Sequence, residues 1–442
     1  MPRFADLVLP AADRFWIRNA RVPRWLLGEP VDAEADRDHA FLLDLLIDRG
    51  TIAAVLAAGR AEGDAPSIDL GGRHVWPGPI DMHTHLDKGH IAARTENPDG
   101  SFTGARTATM SDRARYWRAD DVRRRMEFGL RCAYAHGVAG IRTHIDSYEG
   151  QSETSWGVFR ELRAAWRGKL ALQAVSICPI DLLQGDKGMK LADLVAESGG
   201  VLGGVTRAFN EDHVDIMAGL DELLDRLFAL AAERGLDVDL HVDETGDPRA
   251  ASLSRVAEAV IRSRFKGRVV AGHCCSLAVQ DEALVARTLK LCADAGIAIV
   301  SLPTVNMYLQ DREAARTPRW RGVTLIREMQ AAGIAVAVGG DNCRDPFHAY
   351  GDHDMIDTFR QAVRIAHLDH PFGDAPALVT ANPARITGMP LGTIGNGAAA
   401  RLILFSARTI NELIARSQSD RIVLDGGRRV VDALPDYAEL DA

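Results

Sequence analysis

The chain has 442 residues, 47% hydrophobic and 26% charged, an ordinary globular composition with room for one large domain and a smaller attached unit. Its 61 acidic and 52 basic residues give a formal charge of −9 with no Lys/Arg-rich block, which excludes the electrostatic footprint of a nucleic-acid or anionic-membrane binder and leaves a small molecule as the expected partner. No stretch approaches the roughly 18 apolar residues of a membrane span, the N-terminus is charged throughout, and the six cysteines lack CxxC spacing, so reduced thiols and a cytoplasmic location are expected.

In chain order, residues 1–73 carry FWIRNARV, FLLDLLIDRGTIAAVLAAG and SIDLGGRHV, whose short apolar runs and turn residues predict sheet. HVWPGPIDMHTHLD (74–87) reads as the first strand of a longer series. About 30 residues rich in Gly, Asn, Asp and Arg (88–118) then read as a loop, either a lid or a subunit contact, before a helix over 120–137. Seven further strands are predicted at 137–146, 170–179, 201–209, 236–244, 268–276, 296–306 and 333–342, with helices such as 217–235 between them. LGTIGNGAAARLILFSA and RIVLDGGRRVV in the last 50 or so residues read as sheet again.

Eight apolar strands alternating with helices predict an α/β fold, a (β/α)8 TIM barrel over 74–387. The two chain ends, 1–73 and 388–442, would together build a small β-sandwich domain. A doubly wound open sheet is the alternative, but no GxGxxG follows the first strand and no GxxxxGK[ST] occurs.

His83 and His85 stand two apart at the end of the first strand, so a period of two turns both imidazoles the same way. Three later strands also end in metal-compatible or acid/base residues: His241 with Glu244, His273, and Asp341. Any one of these alone reads best as a satisfied core residue; the set, at the strand ends where this architecture gathers its chemistry, reads as a site. Three imidazoles and one carboxylate (His83, His85, His241, Asp341) suit one divalent ion, Zn²⁺ or Fe²⁺, with a coordination position left for water. Such a water ionises near neutral pH. Glu244 is then the expected proton shuttle, Asp341 the acceptor of the water proton, and His273 the group that orients the hydroxide and stabilises developing negative charge.

PGPIDMHTHLD, HVDETGD, AGHCCS and GGDNCRDP resemble, in order and spacing, the amidohydrolase superfamily and within it the cytosine deaminase-like branch, over roughly residues 75–350. IRTHIDS, LPTVNMYLQDR, WRGVTLIREM and DPFHAYGDHDM are similar to the corresponding parts of cytosine deaminases, and PLGTIGNGAAARLILF to the closing segment of the superfamily's β-domain. The resemblance implies the same four ligands, with Glu244 and His273 as catalytic partners, and a homo-oligomer. Binuclear members bridge two metals through a lysine in the fourth strand. VLGGVTRAF has none, which favours one ion per chain, with Mn²⁺ as a further candidate.

The chain departs from that branch where the substrate is read. Pro179 stands where a glutamine is typical, Asn342 follows the metal aspartate in place of Asp, and Phe347 replaces Trp. Lys88 adds a cation after HLD, to pair with a carboxylate or an anionic ring substituent, or with Asp87 or solvent. Lys88, Cys178, Asn342 and Phe347 are therefore the candidate substrate contacts, and cytosine itself is not the expected substrate. His144 and Asn306, at strand ends, read either as substrate-facing or as packed. His348, His353, His367 and His370 read as surface or helix-capping histidines.

The expected function is hydrolytic deamination of a small, pyrimidine-like nitrogen heterocycle, metal-bound hydroxide attacking an amidine-type carbon with release of ammonia. The alternative within the class is cleavage of another non-peptide C–N bond, by N-alkylamine removal or amide opening. A catalytically silent scaffold would be expected to have lost ligands, and all six site residues are present.

Overall fold

The computed structural model describes Phe4 and residues 7–207 and 217–441. The fold is mixed α/β. Three strands, Ile80–Thr84, Gly140–Asp146 and Ala171–Ile177, form one parallel sheet; five, Leu202–Val205, Val238–Val242, Val269–His273, Ala298–Ser301 and Val336–Val338, form a second. Isolated parallel bridges link the sheets at both ends, Val175 with Val201 and Pro179 with Val205 at one, Thr84 with Asp341 at the other. All eight expected strands are present, mostly shorter than the sequence suggests. Ala208 and Phe209, at the end of the expected fourth, lie outside the described residues.

Helices fill the gaps because their apolar residues recur on one face. In Leu220–Arg234, the residues Leu223, Leu224, Leu227, Phe228, Leu230 and Ala231 are buried, and the helix stops at Gly235 in the left-handed conformation (φ 63°). Asp281 caps Glu282–Ala295 by accepting from the Ala283 and Leu284 amides. No described helix is long and apolar enough to cross a membrane.

The chain ends form two four-stranded sheets. One runs Thr51–Ala57, Ala40–Asp48, Arg14–Pro23, Ser67–Asp69; the other runs Arg428–Arg429, Ile422–Asp425, Leu402–Leu404, Val75–Pro77. Isolated bridges Leu27–Ile394 and Thr51–Ala399 tie the N-terminal part to the C-terminal part. Val75–Pro77 pairs with Leu402–Leu404, although it lies beyond the boundary expected at 73/74; Gly78 and Pro79 break the 74–87 run into two strands serving different sheets.

Two other expectations are corrected. The stretch 88–118 is not all loop: Ser101 accepts from the Gly104 amide and starts a helix, Phe102–Tyr116. Asn306 is not at a strand end but on a short helix, Pro303–Leu309, which begins at the proline suited to a first helical turn. All six cysteines are free and buried, as expected of reduced thiols.

Candidate active site

The period of two along a strand places Asp81 with His83, Arg142 with His144, and Asp239 with His241 on common faces. These faces meet. The His83 ring lies 3.9 Å from that of His144 and 4.6 Å from that of His241. Beneath them Arg142 pairs with Asp239 at 2.9 Å, both fully buried, and Arg142 also donates to the Gln173 side-chain oxygen.

At the strand ends, His83 Nε2 is 3.2 Å from His241 Nε2, which is 3.4 Å from His85 Nε2. The Asp341 Oδ1 lies 3.2 Å from His85 Nε2 and 3.7 Å from His83 Nε2. Burial holds all three imidazoles far below their ordinary pKa, so they are neutral and these contacts to Asp341 are not ion pairs. Neither Asp341 oxygen has a hydrogen-bond partner, although the residue is buried. A buried carboxylate without partners is costly unless a cation joins it. Burial, followed by Glu244, pushes the Asp341 carboxyl well up, and a cation among the imidazoles is the group that would reverse this. Tetrahedral ligands about 2.0–2.1 Å from a metal stand about 3.3 Å apart, so the nitrogen spacings fit. His83, His85, His241 and Asp341 could hold one divalent ion.

Asp341 is placed by backbone pairing: its N–H donates to His83 O at 2.7 Å and its carbonyl accepts from Thr84 Oγ1 at 2.8 Å. Asp81 supports the same seam, accepting from the Gly340 and His83 amides. Asp341 and His273 both adopt positive φ, 63° and 70°, a conformation that non-glycine residues hold only where surrounding structure enforces it.

Glu244 lies two residues beyond Val238–Val242, with its backbone carbonyl accepting from Arg207 Nη1 and Gln310 Nε2. Its Oε1 is 3.5 Å from His273 Nδ1, and burial raises its carboxyl to about 7 against the opposing pull of Arg207 and Lys88. Burial lowers the His273 imidazole to about 3, so it is neutral. The Asn306 amide nitrogen stands 3.0 Å from Nδ1; with the amide as donor the ring proton is on Nε2, which has no protein partner.

His85, His241, Asp341, Glu244 and His273 share a pocket with Lys88, Asn342 and Phe347, all three expected from the sequence; His83 is fully buried beside it. Cys178 is buried and does not line it; its neighbour Ile177 does. Lys88 is buried and pairs with Asp146 (3.3 Å), not with solvent; burial alone would depress it, but Asp146, Asp87 and Asp345 outweigh that and hold it above its usual pKa. The Asn342 amide donates to Asp345. Sequence reasoning missed the wall contributed by Phe102–Tyr116, namely Phe102, Arg106, Thr109, Met110 and Arg113, and it passed over Asp146, which also takes a 2.7 Å contact from Arg113. Among the expected surface histidines, His370 is exposed, but His353 is buried against His90.

The sequence profile described as the amidohydrolase family matches residues 119–431. The chain is 51% identical to the pterin deaminase of Rhizobium rhizogenes over 98% of its own length and 97% of that protein's. It is 24% identical to the N-isopropylammelide isopropyl amidohydrolase of a Pseudomonas species, over 90% of this chain and 95% of that one. Among solved structures, the 5-methylcytosine deaminase of Klebsiella pneumoniae liganded with 5-fluorocytosine superposes with a TM-score of 0.81 at 25% identity, covering 94% of this chain and 97% of the other.

Proposed function

The chain belongs to the amidohydrolase family, and from that premise we propose that it is a metal-dependent hydrolytic deaminase of a small amino-substituted nitrogen heterocycle, of the fused pterin type. The observation that carries the reading is the convergence of His85, His241, an unpartnered Asp341, Glu244 and His273 on one pocket, with His83 buried against them, in a chain 51% identical to a pterin deaminase. A pterin includes an aminopyrimidine ring, so the substrate stays within the pyrimidine-like class expected from the sequence.

We read the two parallel sheets and their bridges as one closed (β/α)8 barrel, with the terminal sheets as a small β-domain over about 1–73 and 388–442. The site then opens at the C-terminal face, where barrel enzymes carry their chemistry. His83, His85, His241 and Asp341 would hold one ion of the Zn²⁺, Fe²⁺ or Mn²⁺ class. When bound, that ion acidifies a water enough to make it a nucleophile at neutral pH.

The chain's own groups do the rest. Asp341 takes the proton from the attacking water. Glu244, with its carboxyl near 7, starts protonated and gives its own proton to a ring nitrogen; it then carries the hydroxyl proton of the adduct to the departing amine, and the proton on Asp341 restores it, so that the two protons of the water account for the ring N–H and the ammonia. His273 Nε2–H donates to the developing oxyanion. Phe102 and Phe347, 5.4 Å apart edge to face, offer apolar surface to a flat ring. Lys88 and Asn342 supply polar contacts at its edge.

The test is ammonia release from metal-loaded protein across aminopyrimidines, aminotriazines and pterins. A pterin should be deaminated, and Glu244→Gln should lower kcat by about 10²–10⁴-fold. Silence of the loaded wild type on every ring would refute deamination. Release of an alkylamine instead would favour the second reading, N-alkylamine removal, for which the similarity to N-isopropylammelide isopropyl amidohydrolase speaks.

A further inference from the structure

A second group of donors lies outside the pocket. His90 follows the first strand, and Cys343 and His353 follow the last. All three are buried, and one ligand atom from each lies within 4.8 Å of the others. The two imidazoles face each other through Nε2, 3.2 Å apart, the separation already seen between His83 and His241.

We propose that His90, Cys343 and His353 form a second, structural site for a thiophilic divalent ion of the Zn²⁺ class. Two imidazoles and one sulfur select Zn²⁺ or Co²⁺ over Mg²⁺, Ca²⁺ or Mn²⁺, which prefer oxygen donors. Cys343 binds as thiolate, its proton passing to solvent, and the remaining position takes water.

The surroundings are shaped for such a group. Burial pushes the Cys343 thiol well up, so a cation between the imidazoles is what would hold it as thiolate, with the His353 backbone N–H pulling the same way. Both histidines have left-handed backbones, φ 61° for His90 and 54° for His353, a conformation held only where the surrounding structure enforces it. Gly129, on helix Ala119–Ala135, leaves the room the ring needs: a Cβ there would meet His353 Nε2 at 2.9 Å. Phe128 packs against the His90 ring at 4.8 Å, and Tyr437 stacks on Phe128 while donating to Asp352, so the C-terminal segment roofs the cluster.

The ion would clamp two loops already paired through their backbones, His90 N–H to Cys343 O and Ala92 N–H to Arg344 O. Those loops carry Lys88, Asn342 and Phe347, so the clamp would fix one wall of the pocket without touching substrate.

Sulfur makes the test specific, because the set around His83 contains none. Chelator-stripped wild type titrated with Co²⁺ should take up two equivalents and develop a thiolate-to-cobalt charge-transfer band in the near ultraviolet. Cys343→Ser should take up one and lose the band; Asp341→Asn should keep it. X-ray absorption of zinc-loaded wild type, which needs no variant, should show a sulfur neighbour about 2.3 Å from zinc. One equivalent with no band, or a zinc shell free of sulfur, would overturn the proposal and leave a histidine–histidine hydrogen bond in its place. Because these readouts are metal uptake and spectra, they stand whether or not the chain deaminates a pterin.

Discussion

Replacing Gly272 by alanine should disturb metal binding without removing a ligand. Gly272 sits on Val269–His273 opposite His241, and a Cβ there would come within 2.9 Å of His83 Cε1 and 3.2 Å of its Nδ1. Carbon atoms in contact settle at about 3.5–4.0 Å, so the ring must retreat by about 0.6–1 Å. It has little space: it is fully buried, with the His144 ring 3.9 Å away and the His241 ring 4.6 Å away. Metal–ligand distances tolerate about 0.2 Å. A shift several times larger should weaken affinity by about 10–100-fold, the usual cost of disturbing a ligand's support, and overpacking should cost a further 1–3 kcal/mol or so of stability. Competition with a chelator measures the first, urea unfolding the second. Gly157→Ala is the control: it lies within helix Ser152–Ala165 with nothing within 4 Å of the new methyl, and should raise stability by up to about 1 kcal/mol. If Gly272→Ala bound metal as tightly as wild type with unchanged stability, the packing argument around His83 would be wrong.

His74, buried in the contact between the terminal sheets, has its imidazole lowered to about 3 by burial and then by Arg21. Its folded pKa lies below the unfolded 6.5, so its contribution is complete above 6.5 and shrinks as pH falls toward 3, by about 2 kcal/mol at pH 5; unfolding of wild type and His74→Gln against pH should converge by that amount on acidification, and parallel curves would deny it. Arg142→Met should cost about 3–5 kcal/mol in urea unfolding by stranding Asp239, and adding Asp239→Leu should recover much of the loss; a double variant as unstable as the single would contradict this. Chelation should abolish ammonia release and lower the unfolding midpoint, and free metal at a hundredfold its dissociation constant should restore about 2.7 kcal/mol. An unchanged midpoint would mean that the ion does not bind the folded chain selectively.

The site was readable where chemistry coincides with strand periodicity. His83 and His85 declare their common direction by spacing alone, and His241, His273 and Asp341 end apolar runs whose strand character is plain. The helix Phe102–Tyr116 was not readable in that way. FTGARTATMSDRARY has few apolar residues and no strong face, because the helix lies over the pocket mouth and has little core to cover; the Ser101 cap was its one local signal. Asn306 was misplaced because LPTVN continues an apolar run, whereas Pro303 marks a helix start. His353 stands in DPFHAYGDHDM, where polar neighbours suggest solvent; its burial comes from His90 and Gly129, more than two hundred residues earlier in the chain.

The seam between Ile80–Thr84 and Asp341 bears on when the protein can first become active. Asp81 reaches Gly340 across 259 positions and Thr84 reaches Asp341 across 257. Contacts so far apart in sequence carry the full entropy of closing the intervening chain and are among the last a folding domain can form. A nascent chain that has emerged only as far as His241 has the three imidazoles to offer but not yet Asp341. Tight, stoichiometric ion uptake should therefore trail the bulk of helix formation in refolding, making the metal a reporter of the final docking step and not of collapse.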